Sequence, residues 1–163
     1  RDATARDIFV PIDDAALRLA LERGDPAADA CLPFVRADLN DSGLRPSIET
    51  SVHALMPHRV VVHVHCVNTI AWAIRADAQA RLSTLLAGES WAFVPYARPG
   101  LPLARHIAAR LRPGVNVLVL ANHGLVVAAD TVDDAVTRLD RIVSRLRVDV
   151  RPLGAGHALT TGR

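Results

Sequence analysis

The sequence has no lysine. All nineteen basic side chains are arginines, scattered from Arg1 to Arg163 without a run and without interleaved aromatics. That distribution, with a net charge of only +2, excludes a phosphate-tracking surface, so no nucleic-acid partner is expected. Cysteine is also scarce. Cys31 and Cys66 are too few to staple a chain of 163 residues, and a reducing, cytoplasmic setting is the expectation. No apolar stretch approaches the ~18–20 residues of a membrane span. The richest, residues 60–74, is interrupted by His63, His65 and Asn68. No leader is visible, but the first residue is Arg1 rather than Met, so an N-terminal part is expected to be missing. Only one Tyr and three Glu occur, which sharpens attention on each.

Half of the residues are apolar, enough for one compact domain over residues 1–163 with a full core. Ile8, Phe9 and Val10 read as a short strand stopped by Pro11. Asp13 and Asp14 open a helix running to about Arg23, with Leu17 and Leu21 on one face. Residues 24–46 hold Gly24, Pro26, Pro33, Gly43 and Pro46 and read as loop. Ser47 is placed to cap a helix that contains Glu49 and ends at Pro57. The β-branched run in 59–65 predicts a strand. Residues 68–87 read as helix, broken near Ala76 and Asp77, and a strand is predicted over 91–94. Residues 103–111 read as helix and 115–120 as a buried strand. Asn122-His123-Gly124 should turn the chain into a return strand, and Thr131 with Asp134 resembles a capping box for the last helix. The tail, 148–163, carries weak signals. The alternation predicts an α/β fold: a single three-layer αβα domain around a mixed, largely antiparallel sheet.

His63-x-His65 is the strongest local chemical signal. On a strand, residues two apart face the same way, and neutral imidazole is the commonest protein ligand for zinc and related ions. Alone, the pair reads equally well as two half-buried structural histidines. His123, at a strand end before Gly124, could supply a third ligand or simply cap a hairpin. Gly124 would permit a tight turn and close approach by a ligand. Glu49 precedes the His-x-His strand and sits four residues before His53. A carboxylate there can serve as a general acid or base beside a metal, or stabilise a helix start.

Taken together, Pro46-Ser47-x-Glu49-x-x-x-His53, Val62-His63-x-His65 and Asn122-His123-Gly124-Leu125 resemble the class II aldolase/adducin N-terminal domain family. The resemblance runs from Arg6 to the helix after Thr131, and Pro95-Tyr96-x-x-Pro99-Gly100 resembles the family's loop before a helix. It implies that His63, His65 and His123 are ligands of one divalent ion, Zn2+ in first place with Mn2+ or Co2+ as alternatives. It implies Glu49 as the catalytic acid–base and Ser47 as a substrate-binding residue. It further implies a homotetramer with sites near subunit boundaries, and carbohydrate metabolism. The activity implied is that of a metal-dependent lyase cleaving a C–C bond in a small hydroxy-carbonyl substrate, with or without phosphate, through a metal-stabilised enediolate. An epimerase, dehydratase or decarboxylase on the same scaffold is the neighbouring alternative, and a non-catalytic adducin-like interaction domain is the one from another class.

The chain departs from the sugar-phosphate aldolases in two ways. Their phosphate loops would precede the residues present, and their tyrosine proton donor has no counterpart in residues 66–95, Tyr96 being the only Tyr. Among the other residues, Tyr96, Trp72 and Trp91 read as packing or contact residues and Cys66 as core. His53 reads as a partner of Glu49 or as a residue packed under the site. His58, His106 and His157 read as surface, and Arg138, Arg141 and Arg145 as a solvated helix face.

Overall fold

A computed structural model describes residues 8–149. Six helices and four strands follow one another as α1 (Asp14–Arg23), α2 (Thr50–Leu55), β1 (Val60–Val64), α3 (Val67–Ala73), α4 (Ala78–Leu85), β2 (Trp91–Val94), α5 (Leu101–Ala108), β3 (Val117–Leu120), β4 (Gly124–Ala129) and α6 (Val132–Arg145). Three single 3-10 turns lie between α1 and α2, in the stretch expected to be loop. The sheet order is β1-β4-β3-β2. β4 runs antiparallel to both neighbours, and β2 pairs β3 in parallel. The predicted mixed, mostly antiparallel sheet is therefore what forms.

The side-chain alternation of the strands divides the core into two layers. Leu118, Leu120, Val126 and Ala128 pack with Val52 and Met56 around α2 and with Leu103 and Ile107 of α5. Val117, Val119, Leu125 and Val127 face the other way, onto Leu82, Leu86, Ile142 and Leu146. β3 and β4 are buried along their whole length, as strands covered by helices on both faces must be. α1 adds an outer layer, where Leu17 and Leu21 meet Leu101 and Ala104 of α5.

Several boundaries differ from the sequence expectations for local reasons. Residues 8–10 form no strand; that stretch leaves Phe9 79% exposed, and only Ile12 bridges Val35. Pro11 lacks the N–H a ladder needs. The helix expected from Ser47 begins at Thr50, because Ser47 Oγ accepts the Glu49 N–H and its carbonyl accepts the Thr50 N–H in a preceding turn. Glu49 is thus the residue at the helix entrance, not inside it. The solvated face expected for Arg138, Arg141 and Arg145 is a clamp. Arg141 forks onto Glu89 at 2.8 and 3.0 Å, Arg145 donates to Ala87 O, and Arg138 donates to Ala128 O. Trp72 and Trp91 pack in the core as expected, Trp72 donating to Leu146 O. His157 and the tail from residue 150 lie outside the described residues.

α5 is held at its start from afar. Asp29 Oδ1 accepts the Leu101 N–H at 2.8 Å, and the Arg98 guanidinium flanks the same carboxylate. That backbone hydrogen bond, seconded by the Arg98 charge, holds the Asp29 carboxyl below its usual range. Gly100 makes room for it: φ is +94°, and a Cβ there would strike the Asp29 carboxylate. Asp29→Ala should cost about 1 kcal/mol, the worth of a helix cap. Because the folded-state pKa is depressed, the contribution is present above about pH 4 and is lost as pH falls below it. Urea denaturation at neutral and acidic pH reads both; equal stability of variant and parent at neutral pH would contradict it.

Candidate metal centre

The antiparallel register of β1 with β4 sets Val64 opposite Leu125 and His63 opposite Val126. His63 shares the strand face of Val61, which packs toward α2 and α5. His65 follows just past the strand end, two residues on. β3 ends at Leu120, and Ala121, Asn122 and His123 turn the chain into β4. Asn122 adopts φ +51°, a left-handed conformation that asparagine tolerates better than most residues. The His123 N–H closes the turn on Leu120 O. Glu49 enters from the start of α2 on the same side.

These four residues meet. Glu49 Oε1 lies 2.6 Å from His123 Nε2, 3.3 Å from His63 Nε2 and 3.4 Å from His65 Nε2. His63 and His65 Nε2 stand 3.1 Å apart. The three ring centroids are 4.9–5.0 Å from one another. One potential ligand atom from each residue falls within 4.8 Å of every other. The side chain of His63 is 5% exposed and that of His123 11%, whereas that of His65 is 60% exposed. A molecule from solvent would approach past His65.

The chemistry of the donors fits a cation. His63 Nδ1 lies 3.0 Å from Leu125 O, and a carbonyl only accepts, so Nδ1 carries the proton and Nε2 presents a lone pair. That lone pair faces the Glu49 carboxylate and another ring nitrogen. Acceptors crowded in this way require protons or a positive ion between them. The backbone-anchored Nδ1–H is also the usual second contact of a metal-ligating histidine. A Glu/His3 cluster able to hold a metal is therefore built into the fold.

The electrostatics point the same way. Burial pushes the His63 imidazole below its ordinary value, against the pull of the Glu49 charge, so the ring tends to stay neutral. Burial alone would raise the Glu49 carboxyl, but the His123 hydrogen bond, and the attraction the neighbouring imidazoles exert whenever they carry a proton, outweigh it and leave it lowered.

Other expected residues fall outside the cluster. Ser47 Oγ accepts from Glu49 N–H and so shapes the turn that delivers the carboxylate. Cys66 is a half-buried free thiol at the start of α3. Tyr96 is 60% exposed. His58 and His106, expected at the surface, are half-buried, His106 sharing its Nδ1 with Pro95 O. A cavity of about 780 Å³ lies between α1, α2 and β1, lined among others by Arg45, Ser47, Thr50, His53, Arg59 and Val61, and none of the four cluster residues lines it. Ser47 and Val61 stand two residues from Glu49 and His63. No motif or spacing pointed to Arg45, Thr50 or Arg59, because only the fold brings them to one wall.

Residues 16–150 match the family described as Class II Aldolase and Adducin N-terminal domain. The chain belongs to that family. Of solved structures, the N-terminal class II aldolase domain of a conserved protein from Thermoplasma acidophilum superposes with a TM-score of 0.73 at 26% identity, covering 85% of this chain and 64% of that one. An aldolase II superfamily protein from Pseudomonas syringae shares the fold with a TM-score of 0.54 at 22% identity, covering 65% of this chain and 46% of its own. A protein of Bacillus subtilis (strain 168) named as the uncharacterized oxidoreductase YuxG is 35% identical over 89 residues, 53% of this chain. The chain spans only 13% of the length of that relative. Among the described residues, no helix is long and apolar enough to cross a membrane.

The depressed His63 carries a pH signature. It binds a proton less readily folded than unfolded, so the chelator-treated protein should lose stability as pH falls through about 6.5. Denaturant midpoints between about pH 8 and about pH 5 should decline, and His63→Gln should flatten the slope. A midpoint independent of pH over that window would contradict the assigned protonation states.

Proposed function

We propose that the domain is a metal-dependent, aldolase-type lyase acting on a small hydroxy-carbonyl substrate. The observation that carries this reading is the convergence of three imidazole nitrogens and one carboxylate oxygen within 4.8 Å. His63, His65 and His123 would hold one divalent ion, zinc suiting three neutral imidazoles well, with manganese or cobalt as alternatives. When bound, such an ion acts as a Lewis acid toward a carbonyl oxygen and favours negative charge on it.

The chain's own residues then divide the work. The buried rings of His63 and His123 fix the floor of the site. His65, on the open side, leaves room for the substrate. Glu49 moves the proton. In the cleavage direction it accepts the proton of the hydroxyl as the adjacent C–C bond breaks and an aldehyde departs. It returns that proton to the carbon left carrying the bonding electrons. A carboxyl held below its ordinary range begins as the base. Ser47, whose Oγ accepts the Glu49 N–H, would offer its hydroxyl to the same substrate.

Other chemistry that begins with the same proton transfer, such as epimerisation, dehydration or decarboxylation, is compatible with this scaffold. The intact cluster argues against a non-catalytic, adducin-like role. Exposed Val67 and Ile74 at the two ends of α3 support a homo-oligomer, a tetramer by family resemblance, with this helix near a subunit boundary.

Glu49→Gln separates chemistry from binding, since the amide keeps the shape but cannot accept a proton. Turnover in a retro-aldol screen over ketose phosphates and small hydroxy acids should fall by about 10²–10⁴-fold, with the bound ion retained. His63→Ala or His123→Ala should instead weaken ion binding by at least ~100-fold, measured by chelator competition. Unchanged turnover in Glu49→Gln would remove Glu49 from the mechanism and leave His53 as the next base to test.

A further inference from the structure

We infer that Gly124 is a positioning residue for the cation site, its missing side chain being what lets the three histidines converge. The inference rests on the metal reading above and adds a residue to it.

Gly124 is not among the glycines with positive φ, so its backbone conformation is open to any L-residue. The reason for glycine is therefore space. A Cβ built at Gly124 would lie 2.5 Å from Val64 O, 3.3 Å from His63 Cε1 and 3.3 Å from His65 Cα. The first of these is backbone and cannot swing aside. Two of the three neighbours belong to ligand candidates, and the third candidate, His123, is bonded to Gly124 directly.

The position in the sheet explains the crowding. Gly124 opens β4, pairs with Leu120 on one side, and stands beside the end of β1 where Val64 pairs Leu125. The next carbonyl along, Leu125 O, is the one that fixes the His63 tautomer. A side chain at Gly124 would push apart the two strand ends that carry His63, His65 and His123. It would leave the two sheet layers intact, because Gly124 contributes no side chain to either.

The test uses Co2+ as the probe ion on the full chain, read by competition with a chromophoric chelator and by the visible absorption bands of the bound ion. Gly124→Ala should fold without the ion, with near-parental circular dichroism, yet bind Co2+ at least ~10-fold more weakly and with altered bands. Leu82→Ala, a core truncation on the opposite sheet face, should lower stability while keeping affinity and bands. Parental affinity and bands in Gly124→Ala would overturn the inference and leave the metal reading standing. A Gly124→Ala chain that cannot fold without the ion would assign the glycine to the fold alone and overturn it equally. A parent chain that binds no Co2+ would sink the metal reading together with the inference.

Discussion

The structure depends most on the antiparallel register between β1 and β4. With Val64 set opposite Leu125, the His-x-His pair arrives beside the β3–β4 turn that carries His123. A slip of one residue would turn His63 and His65 toward the opposite helical layer, since side chains alternate faces along a strand. The register is secured by the two-sided burial of β4, whose Val126 and Ala128 pack on one face and whose Leu125 and Val127 pack on the other. The polar centre is thus positioned by the apolar core, at the end where the pairing stops.

The same register places polar groups where they are costly unless a cation or protons join them. His63 is almost fully enclosed, its tautomer set by a backbone carbonyl, and its free nitrogen directed at other acceptors. Such an arrangement stores an electrostatic demand that a divalent ion would meet. Glu49 reaches it because its turn is built by Ser47 and completed before α2 begins. The site draws on a helix entrance, a strand end and a hairpin turn. These are the parts of a fold whose side chains are free to converge while the layers behind them stay rigid.

Much of this was legible in the sequence, for definable reasons. The period-two spacing of His63 and His65 on a valine-rich strand announces a shared face, and Asn122-His123-Gly124 announces a turn. The resemblance to the class II aldolase/adducin family joined these signals to Glu49 and predicted the fold. What stayed illegible depended on distance along the chain. Arg141 and Glu89 are 52 residues apart, and nothing local distinguishes their clamp from a solvated face. Asp29 caps a helix 72 residues away. Glu49 read as a helical residue because the Ser47 turn that precedes the helix uses residues equally suited to a cap. Gly124 read as a turn glycine, yet Asn122 takes the left-handed conformation and Gly124 provides clearance.

The central claim is that the three imidazoles share one ion. X-ray absorption at the zinc edge of the Zn2+-loaded protein tests it most directly. The account predicts about three imidazole nitrogens at ~2.0–2.1 Å, with oxygen completing the first shell. A spectrum with one imidazole or none, or with sulfur from Cys66 in the first shell, would contradict it.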